Sequence, residues 1–386
     1  MDAVRDLSAD PLTAEPAPPA ARGPLSRVVL GALTGGPPGT ALSPPAGAVE
    51  DADPFGEDLQ LALHVCYELH YRGFAGVHPG WEWDPGLLAL RGGMERAFGA
   101  AIRAGLPATP GGAEGRVALE RELEQELEGL LSEPRDGRGV SHFLRDEATW
   151  EQLREYFVHR SVYQLKEADP QAWVIPRLTG QAKAALVAVE YDEFGSGRGE
   201  RVHARLYADL LRDAGLDSSY GHYVDAVPAV TLATVNLMSW LGLHRELRGA
   251  LVGHFAAAEI TTAPSARRTV QAIDRLGGGA ACRHFYDEHI EADAVHEQVM
   301  RRDVIGDLLT REPGLTADVV LGIRATALLD GRLEEHLLGA WRAGRTSLRA
   351  VPGLSLPSGS SGSYGESAPQ EARAARRSGV PPAEQA

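Results

Sequence analysis

The stretch Cys282–Asp303 reads CRHFYDEHIEADAVHEQVMRRD, and its spacing predicts a helix that carries chemistry. His289, Asp293 and His296 are four and then three residues apart. At about 100° per residue they fall at roughly 0°, +40° and −20°, one stripe over two turns. Imidazoles and a carboxylate converging on one face make half of a metal site. Asp287, Glu288, Glu291 and Glu297 share the stretch, so a solvated acidic helix is the competing reading.

Two further segments supply the missing half. In VEYDEFGSGRGERVHARLYADLL, Glu200 and His203 stand at i, i+3 and can meet one ion from one helix. Glu193 lies seven residues before Glu200 and shares its stripe if the helix is continuous, but Gly195, Gly197 and Gly199 interrupt it. An exposed acid before a break is the alternative for Glu193. Glu259 is a single carboxylate at the end of the small, apolar run 250–260. Burial there requires a proton, a partner or a cation, and an ion pair with Arg267 or Arg268 is the metal-free option. His254 reads as a satisfied core histidine.

The set suits two transition ions bridged by carboxylate, with Glu200 and His203 on one, His289, Asp293 and His296 mainly on the other, and Glu259 bridging or capping. It is too nitrogen-rich for magnesium or calcium, and it lacks the thiolates of structural zinc. Iron is the first candidate and manganese the second. Phe255, Phe285 and Val295 are apolar neighbours that would exclude water, or ordinary core.

Outward from these segments the chain reads as all-α. It is 44% hydrophobic and only 6% aromatic, rich in Ala, Leu, Glu and Arg. Helices are expected over 59–71, from Asp84-Pro85 onward, and over 117–131, 147–165, 180–194, 201–214, 227–241, 246–260, 264–276, 281–309 and 317–343. Residues 1–56 and 351–386, rich in Pro, Gly, Ser and Ala, read as a disordered arm and tail flanking a helical domain over 57–350. The run Val28–Leu33 is too short for a signal peptide or a span, and no apolar run reaches the roughly 18–20 residues a membrane crossing needs.

A net charge of −15 disfavours nucleic-acid binding. Two distant cysteines, Cys66 and Cys282, form no framework, which fits a cytoplasmic location.

The constellation resembles that of the haem-oxygenase-like di-metal oxidases, and the wider text is similar to the actinobacterial iron-containing redox enzymes. Phrases that carry the resemblance are YELHYRGF (67–74), QLKEADP (164–170), EYDEFGSG (190–197), VNLMSWLGLHRELRGALVGH (235–254) and FYDEHIEADAVHEQV (285–299). It covers about residues 58–345. The resemblance implies a haem-oxygenase-like bundle of about seven core helices, here with extra N-terminal helices. It also implies a non-haem di-iron centre that activates dioxygen to oxidise a small organic substrate. Family chemistries include N-oxygenation, oxidative C–C cleavage and decarboxylation. Some members carry a further carboxylate near the first helix ligands; Glu193, then Glu167, are its candidates here.

An electron donor and a homodimer are compatible with this reading, while the sequence specifies neither. Three other functions compete. A non-catalytic iron-binding bundle would use the same ligands without an organic pocket. Haem binding would leave five clustered ligands unexplained. A cysteine nucleophile at Cys282 has no motif around it.

Overall fold

The computed structural model of the chain describes residues 12–108, 112–132 and 137–350, with the side chains of 112–116 and 292–294 outside the description. Among the described residues there are helices and no strands. The helices are α1 (Pro24–Gly35), α2 (Glu57–Glu68), α3 (Pro85–Ala104), α4 (Gly112–Leu131), α5 (Val140–Asp146), α6 (Trp150–Gln164) and α7 (Asp169–Ala172). They continue with α8 (Gly180–Glu193), α9 (His203–Asp213), α10 (Ala229–Leu243), α11 (Arg248–Leu276), α12 (Ala280–Gln298), α13 (Asp307–Arg311) and α14 (Thr316–Arg342). Local signals set several of their ends. Asp84 caps α3 through the Leu87 amide with Pro85 at the first position, and Thr149 and Gln152 form a reciprocal capping box on α6.

α11 is the axis. It packs against α12 on one side and α14 and α5 on others, while α9 closes on α12 and α10 on α2. The crossing of α11 with α14 is backbone to backbone. A Cβ on Gly322 would stand 1.9 Å from the Ala250 carbonyl oxygen, and one on Gly253 would stand 2.1 Å from that of Val319. Only glycine permits that approach.

Three expectations are corrected. The arm is not wholly without structure: α1 is a helix whose Leu25, Val29, Leu30 and Leu33 are buried. Its first-turn amides at Leu25 and Ser26 donate to the Asp58 carboxylate of α2, both at 2.8 Å. The run at 28–33, too short to span a membrane, is long enough to dock. Residues 1–11 of the expected arm, and the expected tail 351–386, lie outside the described residues.

Second, α11 runs through Pro264 where a break separates two expected helices. An interior proline costs about 3 kcal/mol or more through the lost hydrogen bond and the ring's clash with the carbonyl four residues back; packing of α11 against α12, α14 and α5 offsets it. Third, the expected helix 281–309 holds a π-helical stretch, Val299–Gly306, between α12 and α13. It begins three residues after His296, and such insertions re-aim side chains at functional positions. No helix among the described residues is long and apolar enough to cross a membrane.

Several imidazoles are buried in this core without charge. Burial, reinforced by Lys166, pushes His64 down to about 3. Burial pushes His159 down to about 3, with His336 adding to it, and His254 down to about 4. His159 is held by Thr231 Oγ1 (2.7 Å) and Ser347 Oγ (3.0 Å), and His254 by Thr326 Oγ1 (2.8 Å).

Each binds a proton more readily unfolded, at about 6.5. The stability these three contribute is present above pH 6.5 and lost as pH falls toward 4. Buried carboxyls act in the opposite sense over that range, since burial pushes Glu190 up to about 9 and Asp169 and Asp330 up to about 6, so the imidazoles are read one by one. NMR titration is expected to show three histidine rings still neutral at pH 5, and protonation of all three near pH 6.5 would contradict their burial.

Candidate metal centre

Six buried side chains meet where α8, α9, α11 and α12 converge beside the turn after α6. Glu167 sits in that turn, just before Ala168, which takes a left-handed conformation (φ 70°). Glu193 is the last residue of α8 and His203 the first of α9. The glycine loop between them makes the meeting: Gly195 has φ +72°, and a Cβ there would lie 2.6 Å from the Arg201 carbonyl carbon. The loop doubles back on itself, so that His203 Nδ1 comes within 2.7 Å of Glu193 Oε2. Glu259 projects from the middle of α11, and His289 and His296 from α12.

The donor atoms form two groups that share one residue. Glu167, Glu193, His203 and His289 are the first; Glu193, Glu259 and His296 are the second; within each, one atom per residue lies within 4.8 Å of every other. In the first, His203 Nδ1 is 3.8 Å from Glu167 Oε2, and His289 Nε2 is 3.5 Å from Glu167 Oε1. In the second, His296 Nδ1 is 2.9 Å from Glu259 Oε2 and 3.8 Å from Glu193 Oε1. The two oxygens of Glu193 thus face different groups.

The arrangement passes a test of fit for cations. His203 Nδ1 and Glu167 Oε2 are buried yet make no hydrogen bond, although each has the other group's charge nearby. Atoms that crowd together without hydrogen-bond alignment point at a shared space rather than at one another. His289 Nδ1 donates to the Phe285 carbonyl (2.8 Å), which fixes the ring and aims Nε2 at the group. The Phe285 ring packs on His289 with centroids 4.4 Å apart. Carboxylates and imidazoles without thiolate suit iron or manganese.

Charge in the cluster is balanced through the histidines. Burial works to raise Glu193, but His203, His289 and His296 hold it below the usual carboxylate range. Glu259 is raised by burial and by Glu193, against the His296 hydrogen bond. Burial opposes protonation of His296, yet Glu259, Glu193 and Asp192 together lift it to about 9. Protonated, His296 supplies a positive charge between Glu193 and Glu259.

The structure redistributes the expected ligands. Glu193, His203, Glu259, His289 and His296 come together. Glu200 does not: it is exposed on the turn Gly199–Arg201, because the helix starts only at His203 and Val202 is extended (ψ 129°). The i, i+3 argument assumed a helix that the glycine loop prevents. Glu167, the second choice for the extra carboxylate, occupies the group with His203. The side chain of Asp293 lies outside the described residues. His289 faces His203 rather than grouping with His296, and Glu193 rather than Glu259 is shared.

Among the described residues Glu259 makes no ion pair with an arginine, and Arg268 Nε donates to Ser141. Val295 is exposed, not part of an apolar wall.

Two residues escaped the sequence reading. Asp192 Oδ2 lies 3.3 Å from His296 Nε2. Glu190 is buried, neither carboxylate oxygen has a hydrogen-bond partner, and burial with Glu193 and Glu259 nearby pushes it up to about 9. Its i−3 spacing from Glu193 was the available signal. Burial pushes both thiols, Cys66 and Cys282, up to about 12, which disfavours a thiolate nucleophile.

A cavity of about 580 Å³ adjoins the cluster, with Phe285 and His289 in its wall. Its size is that of a small-molecule site.

Residues 154–331, which include every residue of both groups, match the family model described as iron-containing redox enzyme, of the haem-oxygenase-like superfamily. No curated protein matches the chain.

The geometry separates two glutamates that spacing alone treats alike. Glu200→Gln is expected to keep iron content within error of the unaltered protein, and Glu167→Gln to lose half or more. Metal analysis after reconstitution, with circular dichroism as the folding control, reads the difference. Equal loss in both variants would contradict the placement.

Proposed function

We propose, for a chain whose residues 154–331 belong to the haem-oxygenase-like iron-containing redox enzymes, that it is a non-haem di-iron oxidoreductase using dioxygen to oxidise a small organic substrate. The carrying observation is the shared glutamate, Glu193, between two groups of buried ligands.

Glu167, His203 and His289 would hold one ion, and Glu259 and His296 the other, with Glu193 serving both. Asp293, one turn after His289, is proposed for the second ion on its helical spacing. Bound ferrous iron supplies the electrons and open coordination positions that dioxygen chemistry needs and side chains lack.

The protein's own groups do the rest. Phe285 packs on His289 and on Tyr207 of α9, and gives that side of the cluster an aromatic wall. Glu190 holds a proton at a neutral carboxyl near Glu193 and Glu259. Asp192, half exposed, contacts the outer nitrogen of His296. As a metal ligand His296 would be neutral, so it would first give up the proton it shares with Glu259.

The cavity beside His289 favours this reading over a non-catalytic iron-binding bundle, which has no use for an organic pocket. Small organic molecules and dioxygen are the proposed partners, with an external electron donor closing the cycle.

Anaerobic titration with ferrous iron is expected to saturate at two ions per chain, and admitted oxygen to be consumed as the iron oxidises. Saturation at two ions with no oxygen uptake would leave iron binding alone. Saturation at one would remove the di-iron reading.

A further inference from the structure

We infer that divalent cations load the centre through a second, polar pocket beside the glycine loop, drawn in by Glu288 and Glu291 and received by Asp192. The inference rests on the metal centre of the reading above and not on its oxidation chemistry.

The pocket holds about 250 Å³ and shares no lining residue with the cavity beside His289. Its walls come from the end of α8, the glycine loop, the start of α9 and α12. Asp192, Glu288 and Glu291 line it with Arg201, Ser196 and His203, and no apolar side chain is among them. The larger cavity, by contrast, has Leu237, Met238 and Phe285 in its wall. An organic molecule suits that lining, and a hydrated cation suits the polar one.

Two residues connect the polar pocket to the buried ligands. His203 is buried in its wall and leaves Nδ1 without a hydrogen bond. Asp192 is half exposed and spans the gap. Its Oδ1 accepts from the Ser196 hydroxyl at 2.9 Å, and its Oδ2 lies 3.3 Å from His296 Nε2. Glu193, the carboxylate shared by both ligand groups, follows it directly in the chain. A cation held at Asp192 therefore stands beside a ligand of the second group, in a pocket that also contains a ligand of the first.

The two acids on α12 stand three residues apart, on one face of the helix. Glu291 is exposed, and among the described residues it makes no ion pair within 4 Å. Glu288 pairs with Arg201 at 3.0 Å and lies 3.9 Å from His284 Nδ1. The Arg201 pair ties the loop to α12, but an ion pair this exposed is weak in water, so Glu288 releases Arg201 to meet a divalent ion at little cost. Carboxylates gathered in a cleft raise the local concentration of cations and the rate at which they arrive.

Uptake of cobalt(II) by the full-length, metal-free chain is followed by stopped-flow visible absorption, and release by transfer to excess EDTA. Glu288→Gln with Glu291→Gln is expected to load at least about threefold more slowly at low ionic strength and with a weaker salt dependence. Stoichiometry and release rate are expected to stay those of the unaltered protein. Glu50→Gln with Glu335→Gln removes the same charge from exposed positions outside the pocket and is expected to load at the normal rate. Arg201→Gln is expected to load faster. Circular dichroism is the folding control throughout.

Unchanged uptake in the α12 pair, equal slowing in the control pair, or slower uptake in Arg201→Gln overturns the port. Faster release from the α12 pair also overturns it, since those acids would then be ligands rather than a route. An unaltered protein that takes up no cobalt overturns port and centre together, whereas normal stoichiometry with unchanged rates removes the port alone.

Discussion

Three carboxylates and three imidazoles are buried together at the heart of this bundle, and their mutual charge is the constraint the rest of the structure serves. Carboxylates at such distances repel in a medium of low dielectric, and desolvation adds to the cost. Glu193 carries most of the tension, since it faces both groups at once. Without metal, protonated His296 offsets part of that charge. Two divalent ions would offset all of it, which is the physical reason to regard the cluster as a binding site rather than a structural network.

The scaffold keeps that cluster assembled from elements far apart in sequence. α11 is held on α14 through glycine contacts that admit no side chain, and it carries Glu259 as a fixed point. α12 lies along it and presents two histidines about two turns apart. The loop after α8 is the adjustable part: its left-handed glycine turns the chain so that the end of one helix and the start of the next bring Glu193 to His203. The large cavity has His289 and Phe285 in its wall, together with Ala258 beside Glu259 on α11.

Much of this was legible in the sequence, for reasons that differ by residue. His289 and His296 were readable because a regular helix makes spacing equal to direction. Glu259 was readable because an acid among small apolar residues signals burial. Glu200 misled because its spacing to His203 is meaningful only within one helix, and three glycines between positions 195 and 199 end that helix earlier. Glu167 was visible as an option and not as a first choice, since it sits in a turn where no periodicity points its side chain. The N-terminal helix was missed because its short apolar run gains stability from docking on α2 and the Asp58 cap, a tertiary contact that composition does not record.

The most direct test of the central claim is anomalous diffraction at the iron edge from crystals of the iron-loaded chain. The account predicts two peaks, one among Glu167, His203 and His289 and one beside Glu259 and His296, with the Glu193 carboxylate between them. A single peak, or two peaks that Glu193 does not join, would contradict it.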